Sequence, residues 1–182
     1  TSEKIKVTPL AFIAKALVSA LKEFPNFNAS IDVNSSKITY KKYFHIGFAV
    51  DTPNGLMVPK IRNVNEMSIQ KIGEELKKTS KLCRELKIDK KEFFGGSMTI
   101  SSLGGIGGTH FTPIINPPEV AILGVGKNFD RLVKENGKIV SRKILPISLS
   151  YDHRIIDGAE GARFCVYLGK CLGKDFAFKL AV

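Results

Sequence analysis

The chain has 182 residues, 43% of them hydrophobic, which is long enough to bury one substantial core and argues for one domain rather than two. No run of about eighteen consecutive apolar residues occurs and the N-terminus lacks the order of a secretory signal, so neither a membrane span nor an exported protein is expected. A net charge of +11 suits phosphate-bearing ligands, acidic protein partners or nucleic acid, and composition does not choose among them.

The lysines fall mainly on the outer faces of expected helices, and no basic cluster is interleaved with stacking aromatics, which speaks against nucleic acid. Cys83, Cys165 and Cys171 are an odd number without C-x-x-C spacing. Free thiols in a reducing compartment are therefore expected, in the cytoplasm or, in a eukaryote, the mitochondrial matrix. All three cysteines lie in segments of helical periodicity and read as small buried side chains.

Thr8-Pro9 can cap and begin a helix, because a hydroxyl satisfies free backbone N–H groups and proline is tolerated in the first turn. Leu10, Ile13, Ala14, Leu17 and Leu21 then form an apolar stripe that runs to Phe24-Pro25. From Lys37 to Val50 the density of Ile, Thr, Tyr, Phe and Val predicts a strand, and Asn54-Gly55 supplies a turn before an adjacent strand at Leu56-Met57-Val58. Ser68 precedes Ile69, Ile72, Leu76, Leu82 and Leu86 at helical spacing, with Lys71, Lys77, Lys78 and Lys81 off that stripe. After a turn near Asp89, Gly95-Gly96 leads into a strand at residues 97–102 and then a glycine-rich bend at Leu103 to Gly108. Further strands are expected at Val120 to Val125 and Ile139 to Ser150, linked through Asn136-Gly137, and a last helix from near Gly158 to about Leu172. Helices and strands mix without strict alternation, so the expected fold is α/β in the broad sense, an α+β two-layer sandwich whose mixed β-sheet carries helices on one face.

His153 lies between an expected strand end and an expected helix start, beside Asp152 and Arg154 and four residues before Asp157. The partial positive charge of a helix N-terminus would favour the neutral ring, which could then accept a proton. The alternative is a polar elbow held by an Arg–Asp pair. Ser101 and Ser102 end a strand beside the glycine-rich bend, where a hydroxyl can stabilise an oxyanion or simply close a turn. Neither Gly104 to Gly108 nor Gly124-Val125-Gly126-Lys127 completes a dinucleotide or P-loop motif, and Gly96-Ser97-Met98-Thr99 lacks the second glycine of a nucleophile elbow. His45 and His110 have no ligand spacing to His153, so no metal is expected.

Four ordered segments, Asp51-Thr52-Pro53-Asn54-Gly55-Leu56, Thr99-Ile100-Ser101-Ser102-Leu103-Gly104, Ile115-Asn116-Pro117-Pro118-Glu119-Val120-Ala121-Ile122 and Asp152-His153-Arg154-x-x-Asp157-Gly158, resemble dihydrolipoamide acyltransferases, the core enzymes of 2-oxoacid dehydrogenase complexes. The His-x-x-x-Asp-Gly element also resembles chloramphenicol acetyltransferases, and implies their fold. Gly107-Gly108-Thr109-His110-Phe111 followed by Pro113-Ile114 looks most like the acetyl-transferring members of bacterial pyruvate dehydrogenase complexes; members acting on succinyl or branched acyl groups differ mainly in pocket-lining residues. The resemblance implies that His153 takes the proton of an attacking thiol, either coenzyme A or a dihydrolipoyl group carried on a separate domain. Ser101 would then hold the oxyanion, and Asp157 the loop that carries His153.

It further implies a site shared by neighbouring subunits of a homotrimer that joins a larger core, with Thr8, Asp51 and Ser102 on the coenzyme A side. The apolar tail Phe178 to Val182 would link trimers. Implied partners are lipoyl domains, a 2-oxoacid decarboxylase and dihydrolipoamide dehydrogenase, with no nucleic acid and no membrane. The family's catalytic domains carry a few dozen residues before the position of Thr1, so residues 1–182 are expected to be an N-terminally shortened catalytic domain without lipoyl and subunit-binding domains. The competing readings are an inactive structural core of the same fold and a basic nucleic-acid-binding domain.

Overall fold

A computed structural model of the chain describes residues 8–32 and 34–173. Helix α1 (Pro9–Glu23) opens at the expected proline and buries Ile13, Ala14, Leu17 and Leu21 as the stripe requires. Thr8 occupies the N-cap position but its hydroxyl makes no capping bond; instead its carbonyl accepts from the Ala11 N–H at 3.0 Å. Pro25 stops α1 by opening a short 3-10 turn.

The single strand expected from Lys37 to Val50 is three separate pieces. β1 (Ala29–Asp32) and β2 (Lys37–Tyr40) form an outlying ribbon, β3 (Ile46–Phe48) enters the main sheet, and β4 (Val50–Thr52) pairs with β5 (Gly55–Met57) in a second ribbon. The break at residues 41–45 is made by groups from elsewhere in the chain. The buried Asn28 amide donates to the carbonyls of Lys41 and Tyr43, and the Lys41 ammonium donates to the Gly96 carbonyl, so these groups are turned away from a strand ladder. Between β4 and β5 the register places the turn at Pro53-Asn54, with Gly55 already paired to Thr52.

Beyond β6 (Lys60–Ile61), Ser68 caps α2 (Ile69–Arg84) by accepting the Lys71 N–H, and the predicted lysines lie on its exposed side. The stripe ends sooner than expected: Leu86 lies outside the helix at φ 55° and is exposed, while Cys83 is buried. β7 (Met98–Ser102) and β8 (Ala121–Val125) stand where predicted. Between Val125 and Tyr151 sits a hairpin that the sequence reading half missed, β9 (Phe129–Glu135) with β10 (Lys138–Ile144) around Asn136-Gly137, followed by β11 (Ile147–Tyr151) after Pro146. α3 (Gly158–Cys171) closes the described chain. The tail at residues 178–182 lies outside the described residues.

The central sheet runs β11-β8-β7-β3-β6, with β3, β7 and β8 parallel and both outer strands antiparallel to them. Alternation along each strand divides its faces. Ile46, Phe48, Ile61, Met98, Ile100, Ala121, Leu123 and Val125 join the core with residues of all three helices, and Phe27 stacks on Phe164 of α3 at 4.0 Å. The helices therefore cover one face of a mixed sheet, as expected. The other face presents Gly47, Lys60, Thr99, Ser101, Gly124 and Ser148, crossed by the segment that joins β7 to β8. None of the described helices is long and apolar enough to cross a membrane.

Candidate active site

His153 is held by two local anchors. The Asp152 N–H continues the sheet by donating to the Val120 carbonyl, and the Asp152 carboxylate accepts from the Arg154 N–H and from its guanidinium at 2.8 Å. These bonds from Arg154 hold the Asp152 carboxyl below the usual carboxylate range and push the guanidinium up. Three residues on, Ile156 is fully buried, and Asp157 caps α3 by accepting the Glu160 N–H at 2.7 Å. Between the anchors the His153 ring is exposed, with the Tyr151 ring 5.8 Å away. An Arg–Asp pair thus shapes this elbow, and the imidazole it carries is exposed. α3 starts five residues after His153, so the helix-end field expected around the ring falls first on the capping carboxylate of Asp157.

Ser101 is half-buried near the C-terminal end of β7, on the face away from the helices. It pairs with Gly124, which pairs in turn with Ser148, and the Phe111 ring rests over Gly124. A cleft of about 370 Å³ beside this row is lined by His110, Phe111, Thr112, Ser148, Leu149 and Ser150. Ser102 turns its hydroxyl to the Gly104 N–H at 3.4 Å, closing the glycine-rich bend. Asp51 is exposed on β4, immediately beyond the end of β3, and so stands at the same end of the sheet as Ser102. Thr8 is exposed at the head of α1.

Strand direction separates these groups. β11 is antiparallel to β8, so His153 leaves the sheet at the end where β7 and β8 begin, whereas Ser101, Ser102 and Asp51 lie where β3 and β7 finish. The Ser101 row is three residues from the Tyr151 row, and the two strands are two apart. At about 3.3 Å per residue and 4.8 Å per strand, Ser101 and Tyr151 are roughly 14 Å apart, and His153 lies two residues further on. One chain does not bring its candidate base and its candidate hydroxyl together.

A second polar cluster was not legible in the sequence. The Lys60 and Glu119 side chains, each 1% exposed, meet at 2.5 Å, and the Thr99 hydroxyl donates to the same carboxylate at 2.6 Å. A Cβ on Gly96 would collide with the Glu119 carboxylate, and one on Gly47 would lie 2.5 Å from the Thr99 hydroxyl, so glycine at both positions makes the room. Burial pulls the nearby Lys41 ammonium down, with Glu119 opposing and Lys60 adding to that shift. Thr99 and Glu119 stood in their motifs without a role, and Lys60 lay between Pro59 and Ile61 in an apolar run, where a lone lysine normally reads as solvated. Burial also pushes the Cys83 and Cys165 thiols up; Cys83 is buried as expected, whereas Cys165 and Cys171 on α3 are only half-buried. Among the described residues no group of three or more His, Cys, Asp or Glu side chains could hold a metal ion.

The profile of 2-oxoacid dehydrogenase acyltransferase catalytic domains matches residues 1–177. The chain is 54% identical over 172 residues to the dihydrolipoyllysine-residue acetyltransferase component of the pyruvate dehydrogenase complex of Cupriavidus necator, covering 94% of this chain and 31% of that one. It thus spans about a third of the length of such relatives. Among solved structures, the cubic core of a pyruvate dehydrogenase multienzyme complex superposes with a TM-score of 0.90 at 48% identity, covering 96% of this chain and 72% of that chain. The dihydrolipoamide acetyltransferase of Azotobacter vinelandii superposes equally well, at 47% identity and the same coverage; its structure was determined to probe the role of a serine, a histidine and an asparagine in catalysis. Chloramphenicol acetyltransferase, at 16% identity and a TM-score of 0.57, shares the fold.

Proposed function

Because the chain belongs to the family of 2-oxoacid dehydrogenase acyltransferase catalytic domains, we propose that it transfers an acetyl group between coenzyme A and a dihydrolipoyl thiol, in a site built by two neighbouring subunits. The observation that carries the residue assignment is a spacing. In the Azotobacter vinelandii enzyme the serine precedes the histidine by 52 residues and the asparagine follows it by 4, and Ser101, His153 and Asp157 stand at the same separations. Asp157 replaces the asparagine, and its use as the cap of α3 fits a residue that holds the loop rather than exchanges protons.

In the proposed reaction His153 takes the proton of the attacking thiol, which at an ordinary pKa near 8.5 is only a few per cent ionised at neutral pH. The thiolate adds to the thioester carbonyl, and Ser101 donates to the oxyanion that forms. Collapse of this adduct expels the second thiolate, which recovers the proton from the imidazolium. Ser101 lies roughly 14 Å from Tyr151 within one chain, with His153 two residues beyond, and this separation supports drawing the serine and the histidine from different copies. Thr8, Asp51 and Ser102 are assigned to the coenzyme A side, and the common end of the sheet shared by Asp51 and Ser102 supports that grouping. Exposed apolar side chains, Ile114 at 89%, Leu132 at 72% and Ile139 at 74%, support contact with further copies. We assign the assembly as a trimer within a larger core, served in the cytoplasm by lipoyl domains, a 2-oxoacid decarboxylase and dihydrolipoamide dehydrogenase that lie outside residues 1–182.

The test is transfer from acetyl-, succinyl- and isobutyryl-coenzyme A to dihydrolipoamide, with sedimentation of the same samples. Acetyl transfer by an oligomer, abolished by His153→Ala with the fold intact, is expected. Near wild-type turnover of His153→Ala overturns the mechanism, and a preference for succinyl- or isobutyryl-coenzyme A overturns the acyl assignment.

A further inference from the structure

The segment of residues 103–118 leaves the sheet after Ser102 and returns just before β8, carrying Phe111 across the row that holds Ser101. Its departing end is fixed by the Leu103 N–H, which donates to the Val125 carbonyl at 2.9 Å. Its returning end carries Glu119, whose carboxylate gathers three donors from three places. Oε1 accepts from Lys60 on β6 at 2.5 Å and from the Asn116 amide of the segment itself at 3.3 Å, while Oε2 accepts from the Thr99 hydroxyl on β7 at 2.6 Å. Lys60 also donates to the Thr99 hydroxyl at 3.2 Å, so the network is closed. Thr99 and Ser101 project from the same face of the same strand, two residues or roughly 7 Å apart.

Packing does not require such a network. A buried ion pair can usually be exchanged for apolar side chains of similar volume without loss of stability, because desolvation of the charges offsets their attraction. What apolar packing does not provide is a directional tie between the returning segment and the strand. We propose that Glu119 is a positioning residue for the acyl transfer, tying the segment of residues 103–118 to Thr99 and so holding the Ser101 hydroxyl and the ring of Phe111 in their relative places. The proposal rests on the acyl-transfer reading for its kinetic consequence, though not for the tie itself.

Three variants of the full-length protein test it. Lys60→Met with Thr99→Val and Glu119→Leu removes the whole network together with both charges of its ion pair. Thr99→Val alone cuts the tie to β7 and keeps the ion pair, and Lys60→Met with Glu119→Gln keeps a neutral hydrogen bond to Thr99. The readouts are kcat and KM for acetyl transfer and amide hydrogen exchange of residues 99–118. In the triple variant and in Thr99→Val, kcat should fall by about tenfold to a hundredfold, the effect of small misplacements of reacting groups, with KM for acetyl-coenzyme A within about twofold. Exchange should quicken in residues 99–118 and stay unchanged in the three helices. The Met/Gln pair should keep most of the turnover. Thr99→Val with wild-type kcat and wild-type exchange overturns the proposal, as does a Met/Gln pair as impaired as the triple variant. If the wild-type protein transfers no acyl group, the functional reading fails by itself, and exchange in Thr99→Val still decides whether the tie exists.

Discussion

Mixing two inactive variants distinguishes a shared site from a site within one chain. Ser101→Ala removes the proposed oxyanion donor, which in other enzymes has cost roughly 2.7–4 kcal/mol, so a homogeneous assembly should keep no more than about a hundredth of wild-type turnover. His153→Ala removes the proposed base and should lose about a hundredfold or more. Ser101 is roughly 14 Å from Tyr151 across the sheet, and on the proposed reading each site draws its serine from one subunit and its histidine from the next. In an assembly refolded from equal amounts of both chains, a site is intact when the serine donor carries the His153 change and the histidine donor carries the Ser101 change. Random mixing satisfies both conditions in about a quarter of the sites of a closed head-to-tail ring. The mixture should therefore recover about 25% of wild-type acetyl transfer, far above either parent. A mixture no more active than the mean of its parents, despite proven subunit exchange, would refute the shared site.

Two further measurements address the fold. Phe164 is fully buried, stacked on Phe27 and 5.8 Å from the Phe24 ring. Phe164→Ala should destabilise the protein by about 3–5 kcal/mol and lower the melting temperature by about 10 °C; a shift within a degree or two in a circular-dichroism melt would mean that the aromatic cluster does not anchor α3. His45 accepts the Asn63 N–H on Nδ1 at 3.0 Å, and burial, with the Arg62 charge second, holds its imidazole below the ordinary 6.5. The unfolded chain then binds more protons than the folded one as pH falls through 6.5, so this residue subtracts stability on the acid side. Between pH 7 and pH 5, wild-type stability in urea should fall more than that of His45→Gln, and parallel loss in both proteins would show that His45 contributes nothing to the pH dependence.

The parts of the fold that were readable are those where one face meets the core. The stripe of α1 and the uniformly apolar β8 carry their burial in their residue order, and Ser68 declares its cap. The β9–β10 hairpin was half missed because nearly all its residues are exposed, so no alternation marks its strands. The run from Lys37 to Val50 looked continuous because its interruption is made by Asn28 and Gly96, both distant in sequence from the break. His153 and Ser101 were identifiable as residues from their motifs, but that they stand at opposite ends of the sheet depends on strand order and direction, which no local pattern encodes. Glu119 was visible inside a motif without a role, since its partners Lys60 and Thr99 come from two other strands.

The parallel centre of the sheet also sets an order of events for a chain that has just left the ribosome. Ile46 must find Met98, and Thr99 must find Ile122, before the central strands exist, whereas the two ribbons and the helices need only short closures. The strand of Ser101 is thus completed late, and until then Ala121–Val125, buried at every position in the finished fold, presents an unpaired edge on the side that β7 will cover. Refolding yield should accordingly fall as protein concentration rises, because a second nascent chain offers that edge the same hydrogen bonds sooner than β7 does.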